Sequence, residues 1–192
     1  MKLMGLEAIY PKPKTSISHP EHKKFPYLLR GMKFERPNQV WATDITYIRM
    51  KQGLIYLVAI IDWYSRFVIA WDISITLEAD FCISTLQKAI DQFGTPEIFN
   101  SDQGVQFTCN DFIALLEQNN IVISMDGRGR CFDNIFTERF WRSLKQEEVY
   151  LKDYLSVTEA KKNIDEYIDR FNYKRLHQSL NYLTPAEIYL NT

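Results

Sequence analysis

Three acidic residues occupy positions that packing alone does not readily explain. Asp44 lies within a predicted strand, where a buried charge is costly unless it is paired or bound to a metal ion. Asp102 closes another predicted strand and runs into a glycine-containing loop, and Glu138 lies in the first turns of a predicted helix. Residues on three separate elements can converge in space, so these carboxylates are candidates for one shared site.

Convergent carboxylates suit divalent metal ions. Mg²⁺ prefers hard oxygen ligands, which acidic side chains supply and Cys or His side chains do not. Two such ions about 3.5–4 Å apart can activate water or a 3′-hydroxyl and stabilise the leaving oxygen during in-line attack on a phosphodiester. This chemistry needs no serine or cysteine nucleophile. We therefore predict a site for two Mg²⁺ ions, with Mn²⁺ as a substitute.

The helix that carries Glu138 also carries cations. On a 3.6-residue period Arg142 and Lys145 share the face of Glu138. This arrangement suits a site that holds metal at one end and a polyanionic backbone at the other. The alternative is a solvated face with helix-stabilising ion pairs. Arg128 and Arg130, which lie between glycines before the helix, are candidate DNA contacts.

Other polar residues have simpler explanations. Asp62 is predicted to cap a tight turn, and Asp133 and Asn134 to cap the Glu138 helix. Arg175 and His177 are either phosphate contacts or ordinary surface residues near a helix end. Aromatic side chains mostly serve packing, so the tryptophans are predicted to lie in the core or on a partner surface: Trp41, Trp63, Trp71 and Trp141.

The chain between these residues predicts an α/β fold. Three apolar strands joined by short turns, at about 38–50, 54–61 and 67–73, indicate an antiparallel meander. A helix at about 82–93, a short strand ending at Asp102, a helix at 110–119 and a strand at 121–124 follow. This alternation predicts parallel additions to the meander, and hence a mixed sheet with helices on its faces.

The ends of the chain differ from this core. Residues 1–37 are rich in Pro and Lys and predict an extended, poorly folded arm. Residues 38–150 form the predicted core, and residues 151–192 a helical C-terminal extension. In that extension Ser156 and Glu159 make a predicted capping box, and Thr184 with Pro185 starts a last short helix.

Composition narrows the class of protein. The net charge of −1 divides into +5 over residues 1–36, −7 over 37–138 and +1 over 139–192, which suits an acidic, metal-requiring core with basic flanks. No apolar run is long enough to span a membrane, and the N-terminus lacks a signal-peptide layout. Three scattered cysteines indicate neither a disulfide framework nor a zinc site. We therefore expect a cytoplasmic protein.

These features together resemble a known family. Thirty-five residues separate Asp102 from Glu138 (138 − 102 − 1), which is similar to the D,D(35)E signature. The likeness extends over nearly the whole chain, to retroviral integrase cores and more closely to bacterial insertion-sequence transposases. The motifs that carry it are Trp-Ala-Thr-Asp44-Ile-Thr-Tyr, Ser-Asp102-Gln-Gly-Val-Gln-Phe-Thr, Asp133-Asn-Ile-Phe-Thr-Glu138, Leu144-Lys145, and the tail from Tyr173-Lys-Arg175-Leu-His177 to Thr184-Pro185-Ala-Glu.

The resemblance implies a ribonuclease-H-like fold with a five-stranded mixed sheet. It also implies that Asp44 bridges two Mg²⁺ ions while Asp102 and Glu138 hold one each. The implied reaction is cleavage and transfer of DNA strands at the ends of a mobile element. The implied partners are terminal inverted repeats, target DNA and further copies of the chain, with nucleoid association when DNA is bound. Predicted DNA contacts, by position in the motifs, are Lys145, Arg142, Gly104 and Gln106.

The sequence departs from the family in two places. Such transposases usually carry a helix-turn-helix region before the Pro-rich linker, and this chain starts just before that linker. We therefore expect a truncated product or a separately encoded helix-turn-helix partner. Leu176 stands where proline is usual. Two other functions stay open: a non-catalytic remnant that binds DNA or a full-length transposase, and a ribonuclease-H-type nuclease that cleaves RNA in hybrids without joining products.

Overall fold

A mixed five-stranded sheet forms the centre of the structure. The computed structural model of the chain describes residues 23–127 and 135–191. The sheet has the order β3-β2-β1-β4-β5, in which β1, β2 and β3 are antiparallel and β4 and β5 continue in parallel from β1. The predicted mixed sheet is thereby confirmed. The strands are β1 Val40–Arg49, β2 Leu54–Asp62, β3 Val68–Ser74, β4 Ile98–Ser101 and β5 Val122–Met125.

Helices cover both faces of this sheet. The strand β2 is buried on both sides, which explains its nearly continuous apolar sequence. On one face the core contains residues of α1, α2, α3 and α6, and on the other it contains residues of α4 and α5. The helices are α1 Asp80–Phe93, α2 Val105–Thr108, α3 Asn110–Gln118, α4 Ile135–Glu147, α5 Val157–Tyr173 and α6 Pro185–Leu190.

The predicted helix starts are partly confirmed. Ser156 Oγ accepts a hydrogen bond from Glu159 N at 3.1 Å, but the Glu159 carboxylate accepts from Leu155 N at 2.8 Å. The predicted box at α5 is therefore not closed through the Ser156 backbone. Thr184 makes a complete capping box with Glu187, and α6 begins at a proline as predicted. Short α2 adds a helix where the sequence predicted only a loop.

Residues 23–37 form neither helix nor strand, yet they are packed against the sheet. Leu29 is buried together with Val40 and Trp63. Met125 N donates to Pro26 O at 3.4 Å, and Leu28 N donates to Ser124 Oγ at 3.1 Å. This part of the predicted arm therefore follows the edge strand β5, because its apolar side chains are buried there. Domain boundaries at 37 and 150 stay a prediction.

The predictions for residues 1–22 and for Arg128, Arg130, Asp133 and Asn134 lie outside the described residues. Within the described ranges, no helix is both long enough and apolar enough to cross a membrane.

Candidate active site

Asp44 and Asp102 lie side by side because of the parallel register between β1 and β4. Val40 pairs with Ile98, an offset of 58 residues (98 − 40), and the same offset separates Asp44 from Asp102 (102 − 44). Both residues follow the last paired position, Ala42 with Asn100. The two side chains line one open cavity of about 220 Å³. The predicted convergence of these two residues is therefore present in the fold.

A third acidic residue continues this row. The β4–β5 register pairs Ile98 with Val122, an offset of 24 (122 − 98), which also separates Asp102 from Asp126 (126 − 102). Asn100 Nδ2 donates to Asp126 Oδ1 at 2.8 Å, and Gln103 Nε2 donates to the Asp126 carbonyl at 3.0 Å. Sequence reasoning missed Asp126. The available signal was its position, directly after a strand and before a glycine, in an acidic chain segment.

The Asp44 carboxylate is held from two sides. Its Oδ1 accepts a hydrogen bond from Ile45 N at 2.8 Å, and its Oδ2 accepts from Trp141 Nε1 at 3.0 Å. Burial and the nearby charge of Asp102 nevertheless raise the pKa of Asp44 to about 6. Asp126 raises this pKa further, while the two hydrogen bonds lower it. The carboxylates therefore repel each other, and a bound divalent cation would relieve that repulsion.

Asp102 is fixed by the glycine that follows it. Asp102 Oδ1 accepts a hydrogen bond from Gly104 N at 2.8 Å, and burial raises the pKa of Asp102 despite this bond. A Cβ atom added to Gly104 would lie 2.8 Å from Asp102 Oδ1, closer than atoms normally approach. A larger residue would therefore require the Asp102 carboxylate to shift, although the backbone φ of −62° suits any residue. Gln106 supports the same loop by donating to Leu77 O at 2.9 Å.

Glu138 is exposed in the first turn of α4. It precedes Trp141 by three residues, so it lies on the same side of the helix, about 4.5 Å along the axis from the residue that binds Asp44. Among residues 23–127 and 135–191, no three His, Cys, Asp or Glu side chains are close enough to hold a metal ion. The structure thus brings Asp44 and Asp102 together but does not bring Glu138 to them, and the three-carboxylate site stays a prediction.

Comparison of the sequence with family models assigns the chain to a known family. Residues 35–131 match the sequence model of a family described as integrase core domain, and residues 119–185 match a second model with the same description. The chain belongs to the integrase core domain family. The predicted resemblance to an insertion-sequence transposase with an integrase-type core is confirmed.

Two curated relatives of the integrase core chain come from Escherichia coli K12. Transposase InsF for insertion sequence IS3A is 35% identical over 154 residues, which are 79% of this chain and 54% of InsF. Putative transposase InsK for insertion sequence element IS150 is 32% identical over 162 residues, which are 83% of this chain and 57% of InsK. The chain therefore spans about half the length of these relatives.

Solved structures share the fold at lower identity. A chain of the simian T-cell lymphotropic virus intasome in complex with PP2A regulatory subunit B56 gamma superposes with a TM-score of 0.72 at 18% identity, over 88% of this chain and 60% of that one. The HTLV-2 integrase catalytic core domain in complex with magnesium, in its trimeric form, gives 0.65 at 22% identity, over 80% and 97%. The predicted ribonuclease-H-like fold is confirmed.

The predicted DNA contacts of this integrase core occupy different surroundings. Lys145 Nζ lies 4.7 Å from the centre of the Tyr47 ring, and the charge of Asp44 partly offsets the lowering of the Lys145 pKa by burial. Arg142 is exposed on the same helix. Arg175 forms an ion pair with Glu147 at 2.5 Å. The DNA-binding roles of these residues stay predictions.

The predicted packing residues also have definite positions. Asp62 Oδ1 accepts from Ser65 N at 2.8 Å and Asp62 Oδ2 accepts from Asn38 N at 2.8 Å, so the predicted turn role is confirmed. Three of the four tryptophans are buried, and Trp71 is partly buried. Trp141 does more than fill the core, because its indole nitrogen binds a predicted catalytic carboxylate.

Proposed function

We propose that this chain is the catalytic core of an insertion-sequence transposase that cleaves DNA strands at mobile-element ends and transfers them to target DNA. The proposed cofactor is Mg²⁺, with Mn²⁺ as a substitute. The observation that carries the proposal is the position of Asp44, within β1, beside Asp102, which directly follows β4, within an integrase core fold. The relatives named as transposases support the choice of DNA as substrate.

The residues fit a magnesium site in chemistry and in charge. Asp44 and Asp102 offer only oxygen donors, and their mutual repulsion favours a divalent cation between them. We propose that Asp44, Asp102 and Glu138 would hold two Mg²⁺ ions, with Asp44 serving both ions and Asp102 and Glu138 serving one each. Bound Mg²⁺ would supply activation of the attacking oxygen and stabilisation of the leaving oxygen.

The surrounding residues would orient this site. Trp141 and the backbone of Ile45 each donate one hydrogen bond to Asp44, and Gly104 donates one to Asp102. A carboxylate has about four lone-pair sites, so each aspartate keeps capacity for a further ligand. Fixed donors of this kind hold a ligand carboxylate in one orientation. We infer that Lys145, beside Asp44, binds the phosphate backbone next to the cut.

The proposed assembly follows from the reaction. At least two copies of the chain would bind the terminal repeats and the target DNA in one complex. This complex would form in the bacterial cytoplasm, at the nucleoid. A separately encoded helix-turn-helix protein could supply recognition of the repeats. Assays with and without such a partner would show whether this chain joins DNA alone.

Strand transfer tests the proposal directly. Purified chain is mixed with labelled DNA that carries the flanking inverted repeats, target DNA and Mg²⁺ or Mn²⁺. Asp44→Asn, Asp102→Asn and Glu138→Gln should each abolish nicking and joining while circular dichroism stays unchanged. Full activity in any of them would refute the role of that residue. Cleavage of RNA in hybrids without joined products would instead support the nuclease function.

A further inference from the structure

A basic cavity lies on the other side of helix α4 from the carboxylate pair. It has a volume of about 420 Å³ and opens between α4, the turn after β2 and the segment after α5. None of the described residues that line it is acidic. Its charged and titratable lining residues are Arg66, Arg139, Arg142, Arg175 and His177.

Two buried nitrogen atoms in this lining have no partner. Arg66 Nη1 and His177 Nε2 are both shielded from solvent, and neither has a hydrogen-bond partner among the described residues. Buried polar atoms are nearly always satisfied in native proteins, so each exception asks for an explanation. Both nitrogens belong to residues that line the same cavity, from chain segments 111 residues apart (177 − 66), and this coincidence motivates the hypothesis of a ligand that accepts hydrogen bonds.

The turn that carries Arg66 holds its side chain in one position. Arg66 has a φ of 67°, in the left-handed region that glycine adopts more readily. Asp62 and Ser65 fix the turn, and the guanidinium lies 3.3 Å from the centre of the Phe136 ring. An arginine in this backbone region motivates the hypothesis that its side chain has a function.

The electrostatics of the cavity favour an anion. Burial, together with the charge of Arg139, lowers the pKa of Arg66 to about 10, although Asp62 offsets part of this effect. Burial, Arg175 and Arg66 also lower the pKa of His177. Glu147 neutralises Arg175 in part, through the ion pair. Arg66 and Arg139 therefore repel each other, and a bound anion would relieve that repulsion.

We propose that this cavity binds a backbone phosphate of DNA at a distance from the bond that is cut, with Arg66, Arg139 and His177 as its donors. Planar guanidinium groups match the geometry of phosphate oxygens. The inference rests on the proposed function for its choice of DNA. On α4, Arg139 points to the cavity and Trp141 to Asp44, so the helix lies between the two contacts.

DNA binding without metal tests this site. Fluorescence anisotropy is measured in EDTA over a series of salt concentrations, with Arg66→Gly, His177→Gln and Lys162→Gln as variants. Arg66→Gly suits the turn because glycine adopts positive φ, so thermal unfolding should show an intact fold. Each cavity variant should lose about 10-fold or more in affinity. Arg66→Gly should also reduce the slope of log K against log salt by about 1.

Lys162→Gln is the matched control, since it removes one charge from an exposed position on α5. Its affinity should stay within about 2-fold of the unmodified chain, as expected for a charge outside the contact. Cavity variants that bind DNA as the control does would overturn the site and leave the strand-transfer proposal standing. Reduced DNA affinity of the cavity variants, combined with no strand joining by the unmodified chain, would support the cavity site and overturn the strand-transfer proposal. A chain that binds no DNA would overturn both.

An acidic group from a second copy is the competing occupant. If Arg66→Gly keeps its DNA affinity but changes the oligomeric state in size-exclusion chromatography with light scattering, the phosphate assignment is overturned.

Discussion

Asp44 is a residue that the proposed chemistry needs and that metal-free folding disfavours. Its folded pKa of about 6 exceeds the ordinary value of 3.8, so the native state binds more protons between these values. The stability gained by protonating Asp44 in the folded state is therefore present at low pH. It is lost as the pH rises from 3.8 through about 6. In EDTA at pH 7.5, Asp44→Asn should raise the free energy of unfolding by about 1–3 kcal/mol.

Urea unfolding at pH 7.5 and pH 4 measures this effect, and the gain should shrink at the lower pH. Asp72→Asn gives a control of opposite sign, because Lys88 and Lys161 hold the pKa of Asp72 below its ordinary value despite partial burial. Its loss of stability should be larger at pH 7.5 than at pH 4. Equal stability of Asp44→Asn and the unmodified chain at both pH values would contradict the prediction.

A side chain at Gly104 is expected to displace the Asp102 carboxylate for steric reasons. Gly104→Ala places a Cβ atom 2.8 Å from Asp102 Oδ1, so the carboxylate must move or lose its hydrogen bond. Misplacing a metal ligand by about 1 Å can cost about 100-fold in rate. We expect strand transfer to fall by about that factor, with an unchanged melting temperature. The neighbouring Val105→Ala, at an exposed position, should keep full activity, and a fully active Gly104→Ala would refute the argument.

Helix α4 connects the carboxylates to the helical layer. Trp141 Nε1 donates to Asp44, and such a bond favours the ionised carboxylate. Trp141→Phe keeps an aromatic side chain but removes the donor, so the pKa of Asp44 should rise. The pH at which strand transfer is half-maximal on the acidic side should therefore increase by about 0.5–1. Trp71→Phe provides the control, and an unchanged pH profile in Trp141→Phe would exclude this positioning role.

Helix α5 protects the edge strand β3. Asn172 is buried, accepts from Val68 N at 2.9 Å and donates to Val68 O at 3.0 Å, as a neighbouring strand would. Asn172→Leu leaves both backbone groups unsatisfied and should reduce the free energy of unfolding by about 2–4 kcal/mol. Urea unfolding tests this, with exposed Lys174→Ala as the control. If Asn172→Leu loses less free energy of unfolding than Lys174→Ala, water has replaced the hydrogen bonds of the Asn172 amide.

Elements with a strong local pattern could be predicted from the sequence. The stripe of α1 and the start of α6 are local signals, and the meander of β1, β2 and β3 follows from its short turns. Asp44 and Asp102 could be identified because each terminates or interrupts an apolar run. The contacts of Asp126, Trp141 and Arg66 could not, because they depend on register and packing between distant segments. The burial of Leu29 also depends on packing against distant residues, and the prolines around it obscured any local apolar pattern.

At the scale of the whole molecule, metal binding should join the sheet to the helical layer. Asp44 lies in β1 and Asp102 directly follows β4, whereas Glu138 comes from α4, so a site that uses all three would stabilise the packing between layers. At ten times its dissociation constant, Mg²⁺ should stabilise the chain by about 1.4 kcal/mol. For a protein of this size the melting temperature should then rise by about 3–6 °C.

Titration of the melting temperature with Mg²⁺ at pH 7.5 separates the roles of the three ligands. Asp44→Asn and Asp102→Asn should abolish the rise, because the pair forms the binding centre. Glu138→Gln should need higher Mg²⁺ for the same rise, whereas Glu166→Gln, at an exposed position on α5, should behave as the unmodified chain does. If Glu138→Gln responds at the same concentration as the unmodified chain, α4 contributes no ligand and metal binding is confined to the sheet.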